Sequence, residues 1–398
     1  MNYGSYIFSQ LLSYVPKDKF DRIVKKYKGN KYVKVFTCWN QFCVMVFAQL
    51  AERESLRDLE SVLMHHQSCL HHMGMGSTVA KSTLAYANMT RDPEIFREMA
   101  MKLVKIARDQ RAGRCEELDK FLDGDVYAFD STTISLCLSR FPWLKLHHEK
   151  AGIKVHTLFD VKTDVPAFFI YTEAGLHDSK VMGEIPYVAG SYYVFDRAYM
   201  VTSMLFKIHN AQAFFVVREK IHMKFIVIED RVVNASSGVT ADQIIRLDGL
   251  LTKNQYPENL RRVSYYDAES GNDFVFYTNS LDVSAELIAL LYRYRWRVEL
   301  FFKWMKQHLH IKEFFGHNEN AIQIQIYTAI AAYCIVAIAE HQLKLDRDLY
   351  EVLRVLQGSL FEKTPIGDFF KNGQKWQIAT KDSFEDKLQL MLNFENVK

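Results

Sequence analysis

The chain has almost no excess of charge: 50 Lys and Arg stand against 47 Asp and Glu, a formal net charge of +3 over 398 residues. Global charge therefore announces no nucleic-acid partner, and any basic patch has to be local. Cysteine is sparse. The six (Cys38, Cys43, Cys69, Cys115, Cys137 and Cys334) form no CxxC pair, which excludes a zinc finger or ribbon. Nothing at the N-terminus reads as a signal peptide, so reduced thiols in a cytosol are expected. Repeats and low-complexity tracts are lacking too. One stretch, Ala321–Ala339, has no charge at all, but Gln323 and Gln325 interrupt it and no second such stretch exists. A buried core helix is expected there, with no membrane involvement.

What is present is an ordinary globular composition, 49% hydrophobic and 24% charged, with aromatics at 14%. That is enough chain for two or three domains and a large core. Residues 1–120 carry helix-type spacing in DKFDRIVKKY, in FCVMVFAQLAERESLRDLESVLMHH and in PEIFREMAMKLVKIARDQ, with start signals at Ser55/Asp58 and Asp92-Pro93. Between the second and third lies MGMGSTVAKSTLAYANMTRD. It reads as a helix-turn-helix presenting Lys81, Ser82, Thr83, Tyr86 and Asn88 to DNA.

From Val126 the texture becomes β-rich: VYAFDSTTISLC, GIKVHTLFDV, VPAFFIYTEA, SYYVFDRAY and AQAFFVVRE are short β-branched and aromatic runs,. With two helical connections the order is β-β-β-α-β-α-β. Asp160 and Asp164 belong to a hairpin turn. Asp178 is expected to cap a short helix, with His177 beside it. Residues 219–284 add strands at FIVIED, RRVSYYDAES and DFVFYTNS, with a polar linker between the first two. A helix free of Gly and Pro then runs from Ala285 to His310.

That helix has two faces. Leu291, Tyr294, Val298, Phe301 and Met305 form an apolar back. Tyr292, Arg295, Glu299, Lys303 and Lys306 gather on the other side as a ridge of one acid, three cations and a phenol. A solvated face of Glu–Lys pairs is the simplest account. Tyr292 and the neighbouring Trp296 favour another, because aromatics beside cations suit bases and phosphates. Two aspartates also sit where aspartates are costly: Asp130 inside the first strand and Asp196 at the end of the fourth. Asp130 could cap a turn at Ser131, and Asp196 could pair with Arg197. Two strand aspartates and one helical glutamate could instead converge on two divalent cations, a set that needs no His or Cys.

The spacing Tyr-x2-Arg-x3-Glu-x6-Lys, met at Tyr292, Arg295, Glu299 and Lys306, resembles the YREK signature of the insertion-sequence-four family of DDE transposases. FDST at Asp130 and FDRAY at Asp196 resemble that family's first and second acid contexts. The resemblance covers about Val126 to Gln342. It implies an α/β fold with a ribonuclease H-like catalytic core in two parts (121–218 and 285–345), interrupted by a β-rich insertion (219–284). An N-terminal helical domain for DNA-end binding (1–120) and a helical C-terminal region (346–398) complete the expected plan. It further implies that Asp130, Asp196 and Glu299 are catalytic and bind two Mg²⁺ or Mn²⁺ ions. Arg295, Lys303 and Lys306 would hold phosphates, Tyr292 would donate to another, and Trp296 would stack on a displaced nucleotide unless it plugs the core beside Phe302. The implied activity is cut-and-paste transposition, with a hairpin intermediate, by a homodimer that joins double-stranded transposon ends and target DNA in a bacterial cytoplasm at the nucleoid. A metal-dependent nuclease without strand transfer and a non-catalytic DNA-binding descendant are the alternatives.

Overall fold

The structure is a computed structural model that describes residues 4–372 except 137–150, 174, 177, 221–222, 235–236, 309–313 and 346; His177 and Cys137 lie outside the described residues. Seven helices come first: α1 (Ile7–Leu12), α2 (Lys17–Lys26), α3 (Cys38–Leu50), α4 (Leu56–His65), α5 (Lys81–Thr90), α6 (Glu94–Arg111) and α7 (Glu116–Asp119). Then follow β1 (Val126–Leu136), β2 (Ala151–Asp160), β3 (Val165–Glu173), α8 (Asp178–Val181), β4 (Tyr192–Phe195), α9 (Thr202–Asn210) and β5 (Phe214–Arg218). The next block holds β6 (Phe225–Asp230), β7 (Val239–Leu247), α10 (Thr252–Gln255), β8 (Leu260–Asp267) and β9 (Asn272–Thr278). Helices α11 (Ala285–Arg293), α12 (Trp296–His308), α13 (Glu319–Leu343), α14 (Leu349–Gln357) and α15 (Ile366–Asn372) close the described chain.

The nine strands of the described residues join one sheet in the order β3-β2-β1-β4-β5-β9-β8-β7-β6. Strands β1 to β3 pair antiparallel, whereas β1, β4 and β5 run parallel to their neighbours in that group. The β-rich block is continuous with the rest because β9 pairs with β5. Strand β7 lies in the stretch read as a polar linker, which corrects that reading. Its Thr, Asp and Gln hide a strand that carries a bulge between Val239 and Ala241 and buries Val239, Ile244, Ile245 and Leu247.

Both faces of the parallel part are covered, so its strands are apolar at consecutive positions. Strand side chains alternate in direction. Val126, Ala128, Val194 and Val216 therefore enter the larger core with α6, α12 and α13. Tyr127, Phe129, Tyr193, Phe195 and Phe215 enter a second core with Leu205 and Ile208 of α9. Each large side chain so buried contributes about 1.5–3 kcal/mol.

Helix α13 is the one described helix long and apolar enough to cross a membrane, and 94% of its most apolar window is buried within the chain. It is a core helix, as its glutamines foretell. Buried Arg111 of α6 pins it, bonding Glu340 and the Thr163 carbonyl at 2.6 Å. Arg297 of α12 meets the same β2–β3 turn through Asp164, at 2.8 Å. Asp160, buried, accepts from Lys162 and Thr163 of the turn and from Arg108 at 2.8 Å. The two turn acids thus hold structure together, in keeping with the sequence reading.

One helical expectation, the start at Ser55, is met, and another is corrected. The run from Phe42 to His66 breaks between Leu50 and Leu56, where Ser55 caps α4 by accepting from the Asp58 amide at 3.1 Å. The long helix from Ala285 also divides, at Tyr294–Arg295. There the amides of Arg295, Arg297 and Val298 each reach back only three residues, the tighter 3₁₀ pattern. Side chains are drawn opposite ways at this point. Tyr292 packs on Phe276 of β9, while Tyr294 bonds Glu117 and Arg297 bonds Asp164.

Candidate active site

The parallel register of β1 and β4 ends at Phe129 opposite Phe195. Asp130 and Asp196 follow directly where this parallel pairing ends: Asp130 lies mid-strand, since β1 runs on to Leu136 paired with β2, and Asp196 comes just after the last residue of β4. By alternation both belong to the face of Ala128 and Val194, the one that α12 covers,. Asp196 accepts from the Arg197 amide at 2.6 Å and caps a 3₁₀ turn over Arg197–Tyr199. Asp130 accepts from the Ser131 amide at 2.7 Å.

Glu299 arrives on α12, one turn after the break. Nη1 of Arg295 lies 2.5 Å from Glu299 Oε1 and 3.6 Å from Asp130 Oδ2. A single nitrogen thus touches carboxylates from β1 and α12. Tyr292 donates towards Asp196 Oδ1 at 3.4 Å, and Tyr199 towards Asp130 Oδ1 at 3.5 Å. Arg295 is 3% exposed, and its guanidinium lies 5.6 Å from the Tyr292 ring and 5.7 Å from that of Trp296. Its Nε is buried without a hydrogen-bond partner.

Electrostatics follow from this crowding. Burial pushes the Asp130 carboxyl up to about 6; Arg295 and the Ser131 amide pull it down, while Asp196 and Asp178 push it further up. Burial alone would weaken the Arg295 charge, but Tyr292, Glu299, Asp130 and Asp196 outweigh it and hold the guanidinium above its ordinary value. The locus attracts positive charge. Among the described residues no group of three or more His, Cys, Asp or Glu is placed to hold a metal ion with the side chains as they stand. Arg295 lies between two of the three acids.

The remaining sequence candidates spread outwards. Lys303 is exposed and Lys306 half-buried on α12, and Trp296 is half-buried beside Arg295. The uniform polar ridge of the wheel is thus not observed, because Tyr292 and Arg295 are interior. Asp178 opens α8 and takes Lys154 at 3.0 Å, with the buried His156 Nδ1 at 3.8 Å. In the N-terminal region Lys81, Ser82, Thr83 and Tyr86 are exposed on α5. Asn88 instead faces inward and accepts from Gln41 at 2.6 Å. Residues 66–80 separate α4 from α5, far more than a helix-turn-helix turn. Tyr199 was not singled out from sequence, although it closes the same FDRAY run as Asp196.

His156 gives a pH test of this packing. Burial lowers it to about 4, against a smaller upward pull from Asp178. The unfolded chain would bind a proton near the ordinary pH 6.5 that the fold refuses. Its contribution is therefore complete above about pH 6.5 and fades as pH falls towards about 4. Urea unfolding should show a loss of up to about 3 kcal/mol over that window. A His156→Gln variant should lack this step, and an unchanged pH profile would remove His156 as its source.

Comparison with known proteins gives two family matches. The family described as the transposase DDE domain matches residues 122–335, more than half the chain. A domain of unknown function matches residues 3–76. A Sinorhizobium fredii protein described as a transposase is 32% identical over 228 residues, covering 56% of this chain and 64% of that protein. A Geobacillus stearothermophilus protein, described as the transposase of an insertion sequence element, is 34% identical over 219 residues, covering 54% and 56%. The chain thus spans less than two thirds of either relative. A third, from Synechocystis sp. and described likewise, is 26% identical over 295 residues, covering 72% and 80%. Among solved structures, a piggyBac transposase synaptic complex with hairpin DNA covers 95% of this chain and 82% of its own at 11% identity. Its TM-score is 0.45, too low to establish a shared fold.

Proposed function

Since the chain belongs to the transposase DDE-domain family, we propose that it is a DNA transposase that cuts and joins strands by metal-dependent phosphoryl transfer. The observation that carries this is the contact of one buried Arg295 nitrogen with Asp130 and Glu299. Asp196 is tied to the same helical segment by Tyr292. Three acids far apart in sequence are thereby linked through two residues of one helical segment. The chain order β-β-β-α-β-α-β of β1 to β5 supports the ribonuclease H-like reading of this part.

In this reading Asp130, Asp196 and Glu299 hold two divalent ions, Mg²⁺ or Mn²⁺. The chemistry of the donor set fits: three partly buried carboxylates are the hard oxygen ligands that such ions take,. Such ions, when bound, activate the attacking oxygen and stabilise the leaving one. Arg295 orients Glu299 and Asp130, and Tyr292 orients Asp196. Lys303 and Lys306 face the phosphates of the cut strand from the next turns of α12, and half-buried Trp296 offers a stacking surface for a displaced nucleotide,. The sequence of events is nicking at each end by water, attack by the freed 3′-hydroxyl on the opposite strand to give a hairpin, hydrolysis of the hairpin to regenerate that 3′-hydroxyl, and its attack on target DNA by a dimer that pairs two ends.

The test is a supercoiled plasmid carrying the element's ends, incubated with the protein and Mg²⁺. Excised and rejoined DNA is expected, and EDTA should abolish it. Nicked or linear DNA without joined product would favour the nuclease, and end binding without any cleavage would favour a DNA-binding protein.

A further inference from the structure

Outside the catalytic acids, the N-terminal region carries a groove of about 990 Å³ between the loop 28–36 and helix α5. Lys28, Lys31 and Lys34 stand exposed on the loop wall, and none is in an ion pair with a described residue. Asp92 is the single acid of the lining. Arg91 also lines it but is committed to the scaffold: it donates to the Thr37 carbonyl at 3.0 Å, to Gln41 at 2.7 Å and to the Phe36 carbonyl. The opposite wall shows Thr83, Tyr86 and Thr90, one face of α5,. Two tyrosines project from the walls, Tyr32 at 90% exposure and Tyr86 at 64%.

The loop is built to this shape. Lys28 and Tyr32 take positive φ values of 52° and 62°, a conformation disfavoured for side-chain-bearing residues. The surroundings enforce it. Asn30 accepts from the Cys38 amide at 2.8 Å, and a Cβ at Gly29 would stand 2.4 Å from Ile95. An anchored loop that holds three exposed cations outside any ion pair with a described residue, Lys31 over the Tyr32 ring at 4.9 Å, opposite a hydroxyl-bearing helix has the chemistry of a phosphate-backbone grip. Lysines supply point charges, and Tyr and Thr hydroxyls donate to phosphate oxygens.

We infer that this groove seats the sugar–phosphate backbone of duplex DNA, with Lys28, Lys31 and Lys34 on the phosphates and α5 along the other side. The surface lies across the boundary of the matched domain of unknown function, which supplies the loop, and α5, which lies beyond it. It does not depend on Asp130, Asp196 or Glu299, but it shares with the proposed function the expectation of DNA as partner.

Binding of a fluorescein-labelled duplex of random sequence to the full chain tests it by anisotropy across a salt series. Each phosphate contact contributes about 0.9 to the slope of log affinity against log salt. The triple variant Lys28→Gln/Lys31→Gln/Lys34→Gln should flatten that slope by about 2 to 3 and weaken binding at least about tenfold. The charge-keeping triple replacement by Arg should restore both, which separates charge from folding. Duplex should also slow amide exchange in 28–36 and 81–90. An unchanged slope in the Gln triple, with those amides unprotected, would overturn the groove and leave it to a protein partner, while the plasmid assay would still stand or fall by itself. Absence of duplex binding by the wild type would overturn it as well.

Discussion

Glu299→Gln is expected to lower plasmid cleavage by at least about 10³-fold in Mg²⁺, with affinity for duplex DNA within about threefold of the wild type. The magnitude follows from what a divalent ion does for phosphoryl transfer. It stabilises transition-state charge by several kcal/mol, and each 1.36 kcal/mol is a factor of ten in rate. Gln keeps the shape of Glu299 and can still accept from Arg295 Nη1, now 2.5 Å away, but it brings no charge to an ion. Binding is spared because Lys303 and the N-terminal lysines are exposed elsewhere. Cleavage at the wild-type rate would remove Glu299 from the site. Loss of cleavage and binding together would instead point to a folding defect, which a thermal melt would register.

The second large effect concerns stability. Arg295→Met leaves Asp130 and Glu299, with side chains 22% and 26% exposed, facing each other without their shared cation. Removing one partner of a buried ionic cluster costs about 3–5 kcal/mol, because the remaining charges stay desolvated. Partial exposure of both acids places the expected loss near the low end, at about 3 kcal/mol. Urea unfolding in EDTA would measure it. Arg295→Lys should fall between, since an ammonium keeps the charge but not the flat fork that reaches two carboxylates. If the three acids do hold divalent ions, Mg²⁺ should stabilise the Met variant more than the wild type. Saturation at a hundred times the dissociation constant corresponds to about 2.7 kcal/mol. Equal responses of the two proteins to Mg²⁺ would count against the metal-binding assignment.

Local periodicity explains which parts were readable in advance. Asp130 and Asp196 stand out because a carboxylate amid Val, Phe and Tyr breaks an apolar strand, and alternation then fixes the face each one takes. The hairpin at Asp160–Asp164, the cap at Ser55 and the buried α13 are short-range features too, and they were legible. Strand β7 was not, because Thr240, Asp242 and Gln243 look like linker until pairing with β6 and β8 buries Ile244, Ile245 and Leu247 and seats Asp242 against Arg261. Asn88 looked like a reading residue because a helical wheel cannot say which side Gln41 will occupy.

Sequence alone determined the residue types and their spacing: one acid inside a strand and one closing a strand, and Tyr292, Arg295 and Glu299 within about two turns of one helical segment. Those follow from backbone periods, which are local properties of the chain. Only the tertiary structure decided that the segment breaks at Tyr294–Arg295, that Arg295 turns inward to span Asp130 and Glu299, and that β9 welds the later strands onto β5. Each of these depends on contacts between residues tens to hundreds of positions apart, where burial and charge pairing outweigh any local preference.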